Sequence, residues 1–270
     1  FTGLTNTGSV GSITGDIPVN GNLTNNNGST FGLPNGSALT GLTVTGNITN
    51  GDTATFTNNS GTTTLSGASS ATVYLGKNPL FNLHVTKTGG AVITLSTSTI
   101  AFGRLVTSGS HSVEANATNL DFLAEATVGA STVVSSTSGQ LAFNAGLTNA
   151  GTVTTTNGAI VIMGNLTNSG SFGTNSGTMT LTGTVNQTAG TFNHGSATSS
   201  ITGDLIIGAG AFNHNGGTVN FSGGSAASST GLVFNHLATS KTGGVSLVMN
   251  GSSTVLGNMV VSGAHTVNAS

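Results

Sequence analysis

The chain has 270 residues, only ten of them Lys, Arg, Asp or Glu, and a formal net charge of −2. Four cations cannot neutralise a phosphate backbone, which excludes nucleic-acid binding, and the absence of Cys excludes a disulfide scaffold, a thiolate metal site and a cysteine nucleophile. The longest apolar run, Ala159 to Met163, falls far short of the roughly 20 residues that cross a bilayer.

Hydrophobic residues make up 35% of the chain, and Thr, Ser, Asn and 43 Gly supply most of the rest. Disorder needs few β-branched residues and high net charge, and this composition has the opposite of both. An unpaired, uncharged Thr/Asn/Val chain would aggregate through β pairing, so the expectation is ordered β structure.

Along the chain, Gly3-Leu4-Thr5-Asn6-Thr7-Gly8-Ser9-Val10 comes first and Gly21-Asn22-Leu23-Thr24-Asn25 follows it. Phe81-Asn82-Leu83-His84 then leads into Lys87-Thr88-Gly89-Gly90, Ser108-Gly109 and His111-Ser112-Val113. Residues 100 to 145 are irregular and depart from the repeat pattern. From residue 146 the period is plain. Phe172, Phe192 and Phe212 are spaced by 20, as are Leu181, Ile201 and Phe221, and Gly164, Gly183, Gly203 and Gly223 step by 19, 20 and 20. The chain closes on Phe234-Asn235-His236, Lys241-Thr242-Gly243-Gly244, Ser262-Gly263 and His265-Thr266-Val267.

Within one period, stretches such as Thr178-Met179-Thr180-Leu181 alternate polar and apolar residues, and Gly, Asn and Ser interrupt them every five to eight residues. Three short strands and three bends in about 20 residues predict one coil of an all-β parallel β-helix, a β-solenoid. Phe172, Phe192 and Phe212 then form an interior ladder, with Leu181, Ile201 and Phe221 as a second. Asn193 and Asn213 suit a bend, where stacked amides bond one above another. Roughly thirteen coils at the strand spacing give a rod about 60 Å long.

A longer repeat overlies the short one. The segments at residues 3 and 21 return at 146 and 164, offset by 143, and the segments at 81, 87 and 111 return at 234, 241 and 265, offset by 153 to 154. The chain therefore reads as a first module, 1–145, and a second, truncated copy, 146–270, stacked continuously on it. Residue 1 enters the module near the equivalent of Asn144, and Ser270 leaves it near that of Asn116 or Ala117.

The Gly-Asn-Leu-Thr-Asn-x-Gly-x-Phe coils resemble the repeats of filamentous-haemagglutinin-type bacterial surface proteins. The Phe-Asn-Leu-x-Val-x-Lys-x-Gly-Gly segment is similar to the strand-repeat surface proteins of environmental bacteria. The resemblance covers most of the chain and implies a right-handed β-solenoid, exported to the cell exterior and used in adhesion or as a fibre. It brings no catalytic residues with it.

Carbohydrate-cleaving chemistry on such a fold needs paired carboxylates. Asp16, Asp52 and Asp204 sit alone and read as turn residues capping local N–H groups. Glu114, Asp121 and Glu125 cluster in sequence and are the one candidate for an acidic face. Lys77, Lys87, Arg104 and Lys241 are too few to hold an acidic polysaccharide. His194 and His214, each following Phe-Asn, are expected to stack as a structural ladder rather than to hold a metal, and His236, after the same Phe-Asn, would extend it if its coil stacks in register. Thr88-Gly89-Gly90 and Thr242-Gly243-Gly244 read as turns, since no helix follows to make a phosphate site.

These readings give a non-enzymatic extracellular structural protein with no cofactor and no metal site. Neither end shows a cap, so other copies of the chain are expected to pair head-to-tail with it. Glycans or a neighbouring cell surface are the other expected partners. The alternatives are a carbohydrate-binding or carbohydrate-depolymerising β-helix and an array of antiparallel sandwiches, and the regular Phe spacing speaks against the array.

Overall fold

The computed structural model describes residues 1–10, 15–33, 41–58, 61–76, 78, 80–96 and 99–269. Among them there is no helix, and every strand pairing is parallel; the chain winds as a β-solenoid of about 12 turns, with successive strands stacked about 20 residues apart. Thr and the β-branched aliphatics fit short pleated strands, and glycine and asparagine fill the corners. Parallel strands directly above one another are possible because each turn travels once around the core before it pairs.

The first wall is an eleven-stranded sheet running from Leu4–Asn6 through Thr152–Thr155 to Ala211–Asn213. The second carries Leu141–Phe143, Ile160–Ile162 and Met179–Leu181, and the third carries Leu147–Asn149, Leu166–Asn168 and Val185–Gln187. The long strand Thr99–Thr107 belongs to both. Its first half pairs with Asn119–Phe122 on the second wall, and its last two residues pair with Ala126–Val128 on the third.

Alternation sends every other residue inward, and the pairing register sets like on like. Phe172, Phe192 and Phe212 are register partners, with ring centroids 5.4 and 5.8 Å apart. Leu181, Ile201 and Phe221 form a buried column on the second wall. The stretch from 100 to 145, irregular in sequence, stacks as regularly as the rest. Phe102, Phe122 and Phe143 form their own buried ladder there, with centroids 5.5 and 5.1 Å apart. The apolar spacing holds through that stretch while only the corner residues vary.

The corner glycines have a steric reason. A Cβ on Gly183 or Gly203 would lie 2.4 Å from the carbonyl oxygen of the glycine one turn earlier. No side chain fits where corners stack this closely.

The two sequence copies do not occupy equivalent walls. Leu4–Asn6 lies on the first wall, whereas its counterpart Leu147–Asn149 lies on the third. The strand Leu80–Val85, which leads to Lys87, pairs with Thr62–Leu65 in the lineage of the third wall. The strand His236–Lys241 instead pairs with Thr218–Gly223 on the second wall. The sequence repeat is not a whole number of turns, so the second copy is displaced around the axis by one wall.

Replacing Phe192 with Ala is expected to cost about 3–5 kcal/mol by opening a cavity in the central ladder. Asn213→Ala, in the exposed amide pair above it, should cost less than about 1 kcal/mol. Urea midpoints of the two variants measure the difference, and equal midpoints would contradict the assignment of Phe192 to the core.

Candidate functional site

The most unusual chemistry in this interior is ionic. Lys87 and Lys241 are fully buried. The Lys87 ammonium donates to the carbonyl oxygens of Thr45, Ser66 and Ser69 at 2.8, 2.9 and 2.8 Å. Lys241 repeats the arrangement on Thr202, Ser222 and Ser225 at 3.1, 3.1 and 2.8 Å. Burial pushes both lysines below their ordinary pKa. Three acceptors use all three N–H bonds of the charged form, and a neutral amine has only two. Each ammonium thus ties carbonyls of two earlier turns to its own turn.

The four cations of the sequence therefore do not share one environment. Two are interior braces, Arg104 is exposed on the third wall, and Lys77 lies outside the described residues. A signal for the braces was present in the sequence. Leu83, Val85 and Lys87 sit at i, i+2 and i+4, as do Leu237, Thr239 and Lys241, so alternation points each lysine inward with the buried Leu two pleat repeats before it.

Buried amides form a second set of braces. Asn6 donates to Asn25 and Asn25 to Asn50, each at 2.7 Å. In the later turns Asn149 donates to Asn168 at 2.7 Å, and Asn168 to Gln187 at 3.0 Å. The terminal amides donate to main-chain carbonyls, Asn50 to those of Ala54 and Leu75 and Gln187 to those of Gly190 and Ala211. In every Leu-Thr-Asn segment the Asn shares the phase of the buried Leu, so this ladder too was readable. The amide pair at the bend, Asn213 to Asn193 at 2.8 Å, is exposed.

The histidines do not form a three-membered ladder. His194 is buried, with Nδ1 against the Gly195 carbonyl at 3.0 Å, and His214 follows one turn later. His236 instead pairs in register with Thr218 on the second wall. The corner length is the reason. Four residues separate Asn193 from the next strand, and four separate Asn213 from its next strand, but only Asn235 separates Phe234 from the strand that His236 begins.

The carboxylates act across turns rather than as local caps. Asp16 accepts the Gly41 N–H at 2.8 Å, and Asp204 accepts the Ser228 N–H at 2.6 Å and its hydroxyl at 3.0 Å. Asp52 accepts the Tyr74 hydroxyl. Asn22, Asn47 and Asn165 bridge to the following turn in the same way. Glu114 stands on the first wall, whereas Asp121 stands on the second, so the acidic cluster of the sequence is divided between faces. Among the described residues no three His, Cys, Asp or Glu side chains are grouped to hold a metal.

Stacked walls, apolar ladders and axial polar braces define this chain as a parallel β-solenoid. No family model, curated protein or solved structure matches it.

Two predictions follow from the buried polar groups. Lys241→Met leaves three part-buried carbonyls without their donor and should cost about 1–3 kcal/mol, read as a lowered urea midpoint; Lys87→Met should behave alike. A midpoint unchanged in both would mean that the braces contribute nothing. Burial also holds the imidazoles of His84, His111 and His194 below their ordinary pKa. As pH falls below about 6.5 the unfolded chain takes up protons before the fold does. Their stabilising contribution is therefore complete above about pH 6.5 and is lost as pH falls through the lowered folded values. Urea midpoints should decline as pH falls below about 6.5, less steeply in His111→Gln/His194→Gln.

Proposed function

We propose that the chain is a non-enzymatic structural solenoid of the cell exterior, a subunit of a surface filament stacked head-to-tail or the stalk of an adhesin. The observation that carries this reading is the direction in which the interior is braced. Phe ladders, amide ladders and lysine cradles all run along the axis, each joining one turn to the next. Such an arrangement resists local opening, the property required of a fibre.

With both module lysines buried, the surface offers few cationic sites to trypsin-like proteases, which suits an exterior location.

Electron microscopy with helical image analysis tests the proposal. The expected result is continuous filaments with an axial repeat near 4.8 Å and a subunit rise of about 60 Å. Short, unassociated rods at all concentrations would overturn the filament reading and leave the stalk.

A further inference from the structure

On the first wall, Glu114, Ser135 and Thr154 are successive register partners whose neighbours Val113, Val134 and Val153 are fully buried, so these three point outward. Two residues further along each turn stand Asn116, Thr137 and Thr156, all exposed. With Ser136, whose hydroxyl donates to the Asn116 carbonyl at 2.6 Å, the six line a groove of about 240 Å³. They form a lattice of two columns and three rows, with rows about 4.8 Å apart along the axis. The Asn116 corner, whose φ is 51°, closes one side, and its carbonyl accepts the N–H groups of Thr137, Ser138 and Gly139. Gly173 follows Thr154 in the column and leaves that end open.

The Asx side chains Asn22, Asn47, Asn165, Asp16 and Asp204 are used within the fold. The six side chains of this groove make no hydrogen bond to the protein. We propose that they form a binding site for a neutral saccharide of one or two rings.

The chemistry of the lattice selects this class. Its hydroxyls and its amide both donate and accept, and its single carboxylate is a strong acceptor for paired hydroxyl groups. Among the described residues no cation stands in the groove to hold a phosphate, a sulfate or an acidic sugar; Lys87 and Lys241 are buried elsewhere and Arg104 is on another wall. One carboxylate without an acidic neighbour is a poor divalent-cation site. The strands beneath are paired on both sides, so a peptide cannot add as a further strand. What remains is an uncharged ligand rich in hydroxyl groups. The groove has no aromatic platform, so a single site is weak, and repetition along a filament would multiply it. The site itself depends on the fold and not on polymerisation.

Saturation-transfer NMR of the full chain with cellobiose, maltose and N,N′-diacetylchitobiose tests the site. At least one disaccharide should bind saturably with a Kd of about 1–10 mM. Glu114→Gln and the double variant Thr137→Val/Thr154→Val should each weaken that binding at least about fivefold, while Thr167→Val, on the third wall, leaves it unchanged; circular dichroism verifies that all are folded. No saturable binding up to about 50 mM, or equal binding in the wild type and both groove variants, would overturn the proposal. Filaments that form normally yet bind none of the sugars would remove this site and leave the structural reading intact.

Discussion

Everything in this molecule depends on the parallel pairing of each turn with the next. Once backbone N–H and C=O groups are joined along the axis, a side chain has little choice of neighbour: above and below it stand the residues about 20 positions away. An apolar residue is satisfied by its like. A polar residue facing inward must find its partner along the same axis or remain unpaired, at a cost of about 1–3 kcal/mol per group. The Asn and Gln ladders meet that condition because a carboxamide both donates and accepts, so one type of side chain can continue the column and needs only a backbone carbonyl to end it.

The lysines meet it differently. Where a corner leaves several carbonyls pointing into a confined space, no neutral side chain brings three donors, and an ammonium does. Lys87 and Lys241 occupy such places in the two halves of the molecule, on different walls, each with three carbonyls. That the same solution recurs after displacement by one wall shows that it does not depend on which wall is closed. In each case the carbonyl cradle is supplied by the two preceding turns and the lysine by the turn that follows them.

These constraints also divide the interior from the surface in functional terms. Inside, among the described residues, the buried amides and lysines are committed to holding turns together, and Nε2 of His111 and of His194 are among the few buried polar atoms without a partner. Outside, hydroxyls and amides are committed at the corners, where Asx side chains bridge turns, and are free in places on the flat walls. The groove beside Glu114 is one such place. A rod with a rigid interior and weak, repeated surface contacts is physically consistent with a role in which geometry and number matter more than the strength of any single site.

From the sequence alone, the period of 20, the strand alternation, the corner glycines and the Phe and Leu/Ile columns were all legible, because each is a statement about spacing along one chain. The inward phase of Asn149, Asn168, Lys87 and Lys241 was legible as well, though charge and polarity argued for the surface. Three features lay beyond it. The third histidine leaves the column because one corner is three residues shorter than its counterparts. Glu114 is separated from Asp121 because a corner lies between them. The two modules are offset by a wall because the repeat length is not a whole number of turns. Each depends on how much chain every corner consumes. That quantity is set by carbonyls, glycines and side chains from neighbouring turns meeting in space, so only the tertiary structure decides it.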